Sequence, residues 1–224
     1  MWRDAALVAG KDLRIEARSR VATNQVLPVG VIVLVLFAFA LDVEGDLLQR
    51  AAAGLFWVAV LLSCLLAVQR SATLEASEGA RDALRLSGLD PAGVFLGKAG
   101  AVAVQLVAVE VVLALGVAVL YRVEPAGLAL LAATAAVATV GLAGAGTLYG
   151  ALAGSLRTRE TLLPLLLLPV LAPVLIAATR ASEAALTQTS LDVAPAQWIG
   201  LLGVFAVVYV AFGVVAFGTL LEDG

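Results

Sequence analysis

Apolar positions along this chain do not alternate, nor do they recur at the three-to-four spacing of a helix buried on one side; they gather into six long, nearly unbroken runs. These cover Thr23–Leu41, Ala51–Val68, Ala99–Tyr121, Ala126–Gly154, Thr161–Ala178 and Gln197–Leu221. A helix needs about 20 mainly apolar residues to cross the hydrocarbon of a bilayer, and each run is about that long or longer. The pattern predicts an all-α integral membrane protein with six transmembrane helices. The fourth run exceeds what a perpendicular helix needs, which predicts tilt or projection beyond the bilayer.

The segments between the runs are patterned as well. Residues 1–22 are too polar to span. At about 100° per residue, Arg3, Lys11, Arg14 and Arg18 fall in one narrow sector, and Trp2, Ala6, Leu13 and Ala17 share another. This describes an amphipathic elbow helix in the headgroup layer, its basic residues turned to anionic lipid; a plain tail that only sets orientation is the alternative. Residues 69–98 form the longest polar connection. Within it Gly79–Leu86 predicts a short helix, with Ala80, Ala83 and Leu84 on one face and Arg81, Asp82 and Arg85 on the other. Gly88 suits its stop, and Asp90-Pro91 suits the N-cap and first turn of the third span. Such a helix either plugs into a partner or lies solvated. Among the remaining connections, Asp42–Arg50 and Tyr121–Pro125 are brief. Arg180–Ala196 is longer, with Ser182 and Glu183 suited to cap one helical turn and Trp198 placed as an interfacial anchor.

Composition sharpens this picture. Of 224 residues, 62% are apolar and 14% charged, with a mean hydropathy of +1.05; a soluble domain is nearer half apolar. The net charge of −3 matters less than where the charges lie. Short loops rich in Lys and Arg stay cytoplasmic. Arg3, Lys11, Arg14, Arg18 and Arg20, then Arg70, Arg81, Arg85 and Lys98, then Arg157 and Arg159 lie on one side, eleven of the fourteen basic residues. Arg50, Arg122 and Arg180 lie on the other. Both termini are therefore expected in the cytoplasm. The first twenty residues are charged rather than apolar, so no signal peptide is expected.

Several chemistries are excluded. The single cysteine, Cys64, allows no disulfide framework, and the absence of histidine removes the commonest general base and haem-iron ligand. No phosphate loop of the G-x-x-x-x-G-K-[ST] type, no H-E-x-x-H, no Gly-x-Ser-x-Gly and no Cys-x-x-Cys occurs. No catalytic residue and no metal site is expected, and the few basic residues, tied to the membrane edge, give no support to nucleic-acid binding.

Within the spans, Glu110 is the one deep ionisable residue. A carboxylate in hydrocarbon costs several kcal/mol, so it faces protein or water; it reads either as a functional group on a membrane pathway or as a protonated acid bonding a neighbouring helix. Gly146, Gly150 and Gly154, preceded by Gly141 and Gly144, form a smooth stripe for helix packing. Pro164, Pro169 and Pro173 punctuate the fifth span, where they predict a gate or a static kink with carbonyls left for neighbours to satisfy.

Taken in order, these features resemble a known family. A basic elbow, six spans and a glutamate-rich first cytoplasmic loop ending in a lysine look like the membrane subunit of an ABC exporter of the second type. More narrowly, KDLRIEARSR at 11–20, LEASEGARDALRLSGLDPAGVFLGK at 74–98 and above all RTRETLLPLLLLPVLAP at 157–173 resemble the cytochrome c maturation permease family (CcmB). The resemblance implies a 1–22 elbow, a 23–224 permease domain and a coupling loop at 69–98 in which Glu75, Glu78, Gly79, Arg81 and Arg85 meet the ATPase. It implies a multi-pass protein of the bacterial plasma membrane, paired as a homodimer. Its implied partners are a separate ABC ATPase subunit, haem-handling membrane proteins and a periplasmic haem chaperone whose release ATP hydrolysis drives. No cofactor is expected on this chain itself; haem would be ligated by partners. The alternatives are an exporter of the same type for a drug, lipid or polysaccharide, a proton-coupled carrier using Glu110, and a membrane scaffold for the haem-handling partners.

The charge asymmetry is directly testable. A reporter active only outside the cytoplasm is expected to be silent when fused after Gly224 and active when inserted near Leu191; the opposite pattern refutes the orientation.

Overall fold

The computed structural model of the chain describes residues 1–20, 22–41, 46–77, 88–123, 127–154, 159–187 and 194–222. Among these residues the fold is helical throughout, with seven α-helices: α1 (Trp2–Ser19), α2 (Leu27–Ala40), α3 (Asp46–Ser77), α4 (Pro91–Leu120), α5 (Leu128–Gly154), α6 (Arg159–Thr187) and α7 (Pro195–Glu222). A short π-helical turn, Ala22–Val26, leads directly into α2.

Five helices, α3 to α7, are long and apolar enough to cross a membrane. The first predicted span is realised differently. α2 has 14 residues, about 21 Å at 1.5 Å per residue, and counts as a further crossing only when taken with α1 as one bent pair. It meets α1 at a bend of 58°. Two other boundaries differ from the sequence expectation. α3 runs on to Ser77 and α4 starts at Pro91, so both ends of the predicted 69–98 loop are continuations of spans. α6 likewise continues to Thr187; Ser182 and Glu183 lie inside it and cap nothing, because an apolar-run criterion stops at the first charge while the backbone ladder does not. At the start of α4 the expectation is met in detail: the Asp90 side chain accepts from the Ala92 N–H at 3.2 Å, with Pro91 in the first turn. Gly88, with φ +65°, turns the chain just before it.

α1 is not simply laid against the rest. It packs on the first turns of α4, where Gly93 and Gly97 lack side chains at the contact. A Cβ on Gly93 would sit 2.7 Å from the Met1 carbonyl oxygen, and one on Gly97 would sit 2.6 Å from the Ala5 carbonyl oxygen and 2.8 Å from Val8 Cβ. Ala5 and Val8 are the buried residues of α1, while Trp2, Ala6 and Ala17 stay exposed. Asp4 joins the two helix starts, its Oδ2 accepting from the Met1 amino group at 3.2 Å and from the Asp90 N–H at 3.4 Å. That hydrogen bond to the amino group is the main reason the Asp4 carboxyl is held below its usual range, and the same bond holds the Met1 ammonium above its own.

The main core draws on α2 to α7 and includes Leu34, Trp57, Val60, Cys64, Leu106, Leu113, Leu142, Leu167, Leu171 and Leu202. A second, smaller cluster joins Val8 of α1 to Val94, Phe95 and Ala99 of α4, Leu148 of α5 and Phe217 of α7. There the Phe95 ring lies against Gly213, on whose surface no Cβ would fit, and 5.5 Å from the Phe217 ring.

The α1–α4 contact predicts a clean contrast between two glycines. Gly97→Ala is expected to lower the stability of the detergent-solubilised protein by about 1–3 kcal/mol, the usual range for overpacking. Gly100→Ala, with no atom within 4 Å of the new methyl group, is expected to be neutral or mildly stabilising; equal thermal midpoints for the two variants would refute the docking.

Candidate functional site

The membrane interior contains one acidic group among the described residues, and the fold encloses it. Glu110, midway along α4, is 5% exposed. Its partner comes from α5: Thr139 Oγ1 lies 2.7 Å and 2.9 Å from the two carboxyl oxygens. The same hydroxyl lies 2.7 Å from the Ala135 carbonyl oxygen, one turn back in its own helix. A hydroxyl has one hydrogen and two lone pairs. It cannot donate to three acceptors at once, and the set closes when the carboxyl contributes a hydrogen of its own. The acid then donates to Thr139 Oγ1 and the threonine donates to Ala135. In that form no net charge is buried between the helices, the condition under which a deep carboxyl is tolerated.

A second polar locus lies near the start of α4. Lys98, read from sequence as the end of a loop, is inside the helix and 4% exposed. It lines a cavity of about 20 Å³ together with Ser71, Thr147, Gly150 and Phe217, enough for about one water. Thr147 Oγ1 and Arg70 Nε are buried without a hydrogen-bond partner. α3, α4, α5 and α7 each contribute to the cavity lining.

The helix-packing glycines sit on two different neighbours. Gly146 and Gly150 face Val68 of α3: a Cβ would come within 2.6 Å and 3.0 Å of its methyl groups. Gly141 and Gly144 face Phe205, Ala206 and Val210 of α7. Gly154 is the last residue of α5. All three prolines lie within α6; Pro164 is half-buried, whereas Pro169 and Pro173 are exposed. Glu75 belongs to α3, while Glu78, Gly79, Arg81 and Arg85 lie outside the described residues, as does the short helix predicted over Gly79–Leu86.

Comparison with known proteins decides the family. Residues 4–223 match the family described as CcmB protein. The chain belongs to the CcmB family. It is 31% identical over 166 residues to "Heme exporter protein B" of Rhodobacter capsulatus, covering 74% of this chain and 76% of that protein. Against "Heme exporter protein B" of Paracoccus denitrificans it is 33% identical over 178 residues, with the same shares covered. The resemblance seen in residues 11–20, 74–98 and 157–173 is borne out, and with its long apolar helices the chain is a multi-pass membrane protein.

Within this CcmB chain, several polar contacts were not legible in advance. Trp57 Nε1 donates to Ser182 Oγ at 3.0 Å, tying α3 to α6. The Tyr121 hydroxyl donates to the Leu34 carbonyl at 3.0 Å, tying the end of α4 to α2. Glu110 predicts a polar neighbour, yet Thr134, Thr139 and Thr147 are equally good candidates by sequence. The selection of Thr139 depends on how α4 and α5 are rotated against each other.

Removing that hydroxyl tests the pairing. Thr139→Val leaves the buried carboxyl without its partner and is expected to destabilise by about 1–3 kcal/mol. Thr139→Ser, which keeps the hydroxyl, is expected to retain most of that stability. Thermal unfolding of the two variants in detergent measures the difference, and a Val variant as stable as the Ser variant would remove the hydrogen bond from the account.

Proposed function

We propose that this chain is the permease subunit of an ABC-type transporter complex serving cytochrome c biogenesis in the bacterial plasma membrane. The observation that carries the reading is the family match along nearly the whole chain, with relatives named for haem export. In this reading the chain contributes no catalysis. Hydrolysis of ATP belongs to a separate ATPase subunit, consistent with a sequence that has no phosphate-binding loop. Six spans, the first made by the bent α1–α2 pair, place both termini in the cytoplasm. The segment around Glu75, Glu78, Gly79, Arg81 and Arg85 is the contact with the ATPase, and two copies form the membrane unit.

Haem is cargo rather than a resident group in this proposal. The sequence has no histidine and the sole cysteine is fully buried in the core, so axial ligation falls to the haem-handling partners and the periplasmic chaperone. ATP-driven release of the loaded chaperone is the coupled event. α4 links the two ends of this scheme: it begins directly after the coupling segment, packs against α1 through Gly93 and Gly97, and carries Glu110 in its middle.

Glu110 also supports a second reading, a proton-coupled carrier that works alone. Its direct bond to Thr139 favours a tie between helices instead. Two measurements separate the readings. Reversing Arg81 and Arg85 to Glu is expected to reduce co-purification of the ATPase at least about tenfold, as opposing charges at an interface do, with membrane insertion unchanged. Glu110→Gln is expected to preserve cytochrome c maturation, and Glu110→Leu to lower the amount of assembled complex. Undiminished ATPase recovery, together with a Gln variant that is present at normal level but inactive, would overturn the permease reading in favour of the carrier.

A further inference from the structure

Several hydroxyls inside the helices share one habit, and one departs from it. Ser63 donates to the Ala59 carbonyl at 2.8 Å and Thr134 to the Leu130 carbonyl at 2.8 Å. Thr139 Oγ1 lies 2.7 Å from the Ala135 carbonyl oxygen. Each acceptor is one turn back in the same helix. Thr147, further along α5, has the Ala143 carbonyl in the equivalent place. Its Oγ1 does not take it: the atom is buried without a hydrogen-bond partner, in a residue 8% exposed. A desolvated hydroxyl left alone costs more than an ordinary hydrogen bond returns, so the space it faces has to supply the partner.

That space is polar and of a definite size. Thr147 lines the cavity of about 20 Å³ together with Lys98 of α4 and Ser71 of α3, and Val68, Val102 and Phe217 wall it. A water molecule needs a cavity of at least about 10–15 Å³ and two to four polar partners. Both conditions are met here. The Lys98 ammonium has three donors, and each hydroxyl has one hydrogen and two lone pairs. Cavities that stay dry are lined by apolar groups, which this one is not. Its volume is also too small for a whole phosphate or carboxylate group.

We propose that this cavity is a binding site for a single structural water, held by Thr147 Oγ1, Lys98 Nζ and Ser71 Oγ. The water accepts from the ammonium and uses its own hydrogens and second lone pair on the two hydroxyls. It thereby joins α3, α4 and α5 at one depth. Ser71 stands six residues before the end of α3 and Lys98 seven residues after the start of α4, about 9 and 10 Å along each helix at 1.5 Å per residue. The two helices that flank the 78–87 segment are therefore tied to α5 by a hydrated joint two turns inside the bundle. Lys98 is a positioning residue of that joint. The inference holds for the permease and carrier readings alike.

Two phenylalanines make an internal test. Phe217 and Phe95 are 1% and 0% exposed, with ring centroids 5.5 Å apart; Phe217 lines the cavity and Phe95 does not. A brief X-ray pulse turns water into hydroxyl radicals that react where they form, so a buried ring is oxidised when a bound water touches it. The full chain is irradiated in detergent and oxidation is read by mass spectrometry. Phe217 is expected to oxidise at least about fivefold faster than Phe95, because only its ring borders the water. Thr147→Val keeps the shape without the hydroxyl and is expected to bring Phe217 down to the Phe95 rate, whereas Thr147→Ser is expected to keep it fast. Thermal midpoints give a second readout. A hydroxyl bonded to water loses those bonds in the Val variant, so its midpoint is expected to fall; an orphan hydroxyl would be relieved by valine, and a rise overturns the proposal. Equal oxidation of the two rings in the parental chain also overturns it, a comparison that needs no variant to fold. So does a Phe217 that still oxidises fast in the folded Val variant.

Discussion

Hydrocarbon supplies neither donors nor acceptors, and that single deficiency organises this molecule. Every polar group carried into the spans has to find its partner within protein or bring water with it. Most of the described ones find it locally or on the next helix. Ser63 and Thr134 bond back to carbonyls one turn earlier in their own helices. Trp57 reaches Ser182 and Tyr121 reaches the Leu34 carbonyl across helix boundaries. Glu110 meets the same demand through Thr139, which passes the chain of hydrogen bonds on to Ala135. The exposed prolines of α6, Pro169 and Pro173, each remove one donor from that helix's ladder.

The same solvent withholds another familiar force. Between helices in lipid there is little hydrophobic gain, since acyl chains are as apolar as leucine, so association depends on close packing. Glycine makes that closeness available at each principal junction. Gly146 and Gly150 admit the Val68 methyl groups of α3, Gly213 admits the Phe95 ring, and Gly30 lets α2 approach Leu113 and Ser63. The small residues of α5 thus serve two neighbours: one group accepts α3, the other α7. A stripe that looks uniform in sequence is divided in space.

α1 and α4 carry the logic to the edge of the membrane. Their starts are joined by Asp4 and Asp90 and by the Gly93 and Gly97 approach. α1 is therefore fastened to the very helix that begins after the 78–87 segment, and a displacement at the start of α4 acts on α1 as well. In the permease reading, this is the mechanical link between an ATPase contact and the helix containing Glu110. Dispersion contacts at such close range fall off steeply, so the junction transmits displacement only while the two helices remain in register.

How much of this was legible in the residues follows from which interactions are local. Apolar run length alone determined the helical class and the spans from α3 to α7, because a helix satisfies its own backbone and the bilayer imposes a minimum length. The Asp90-Pro91 cap was equally legible, being a matter of neighbouring residues. The ends of the helices were not: the ladder of α3 runs on to Ser77 and that of α6 to Thr187 past charges that end an apolar run. Sequence marked Glu110 as in need of a partner, and tertiary structure chose Thr139 over two other threonines by setting the rotation of α5 against α4. Lys98 looked like the last residue of a loop and became a buried group beside Thr147 because three other helices converge on it. Sequence also placed three prolines in one span; only the packed bundle decided that two of them would face outward, since exposure belongs to the arrangement of helices and not to any one of them.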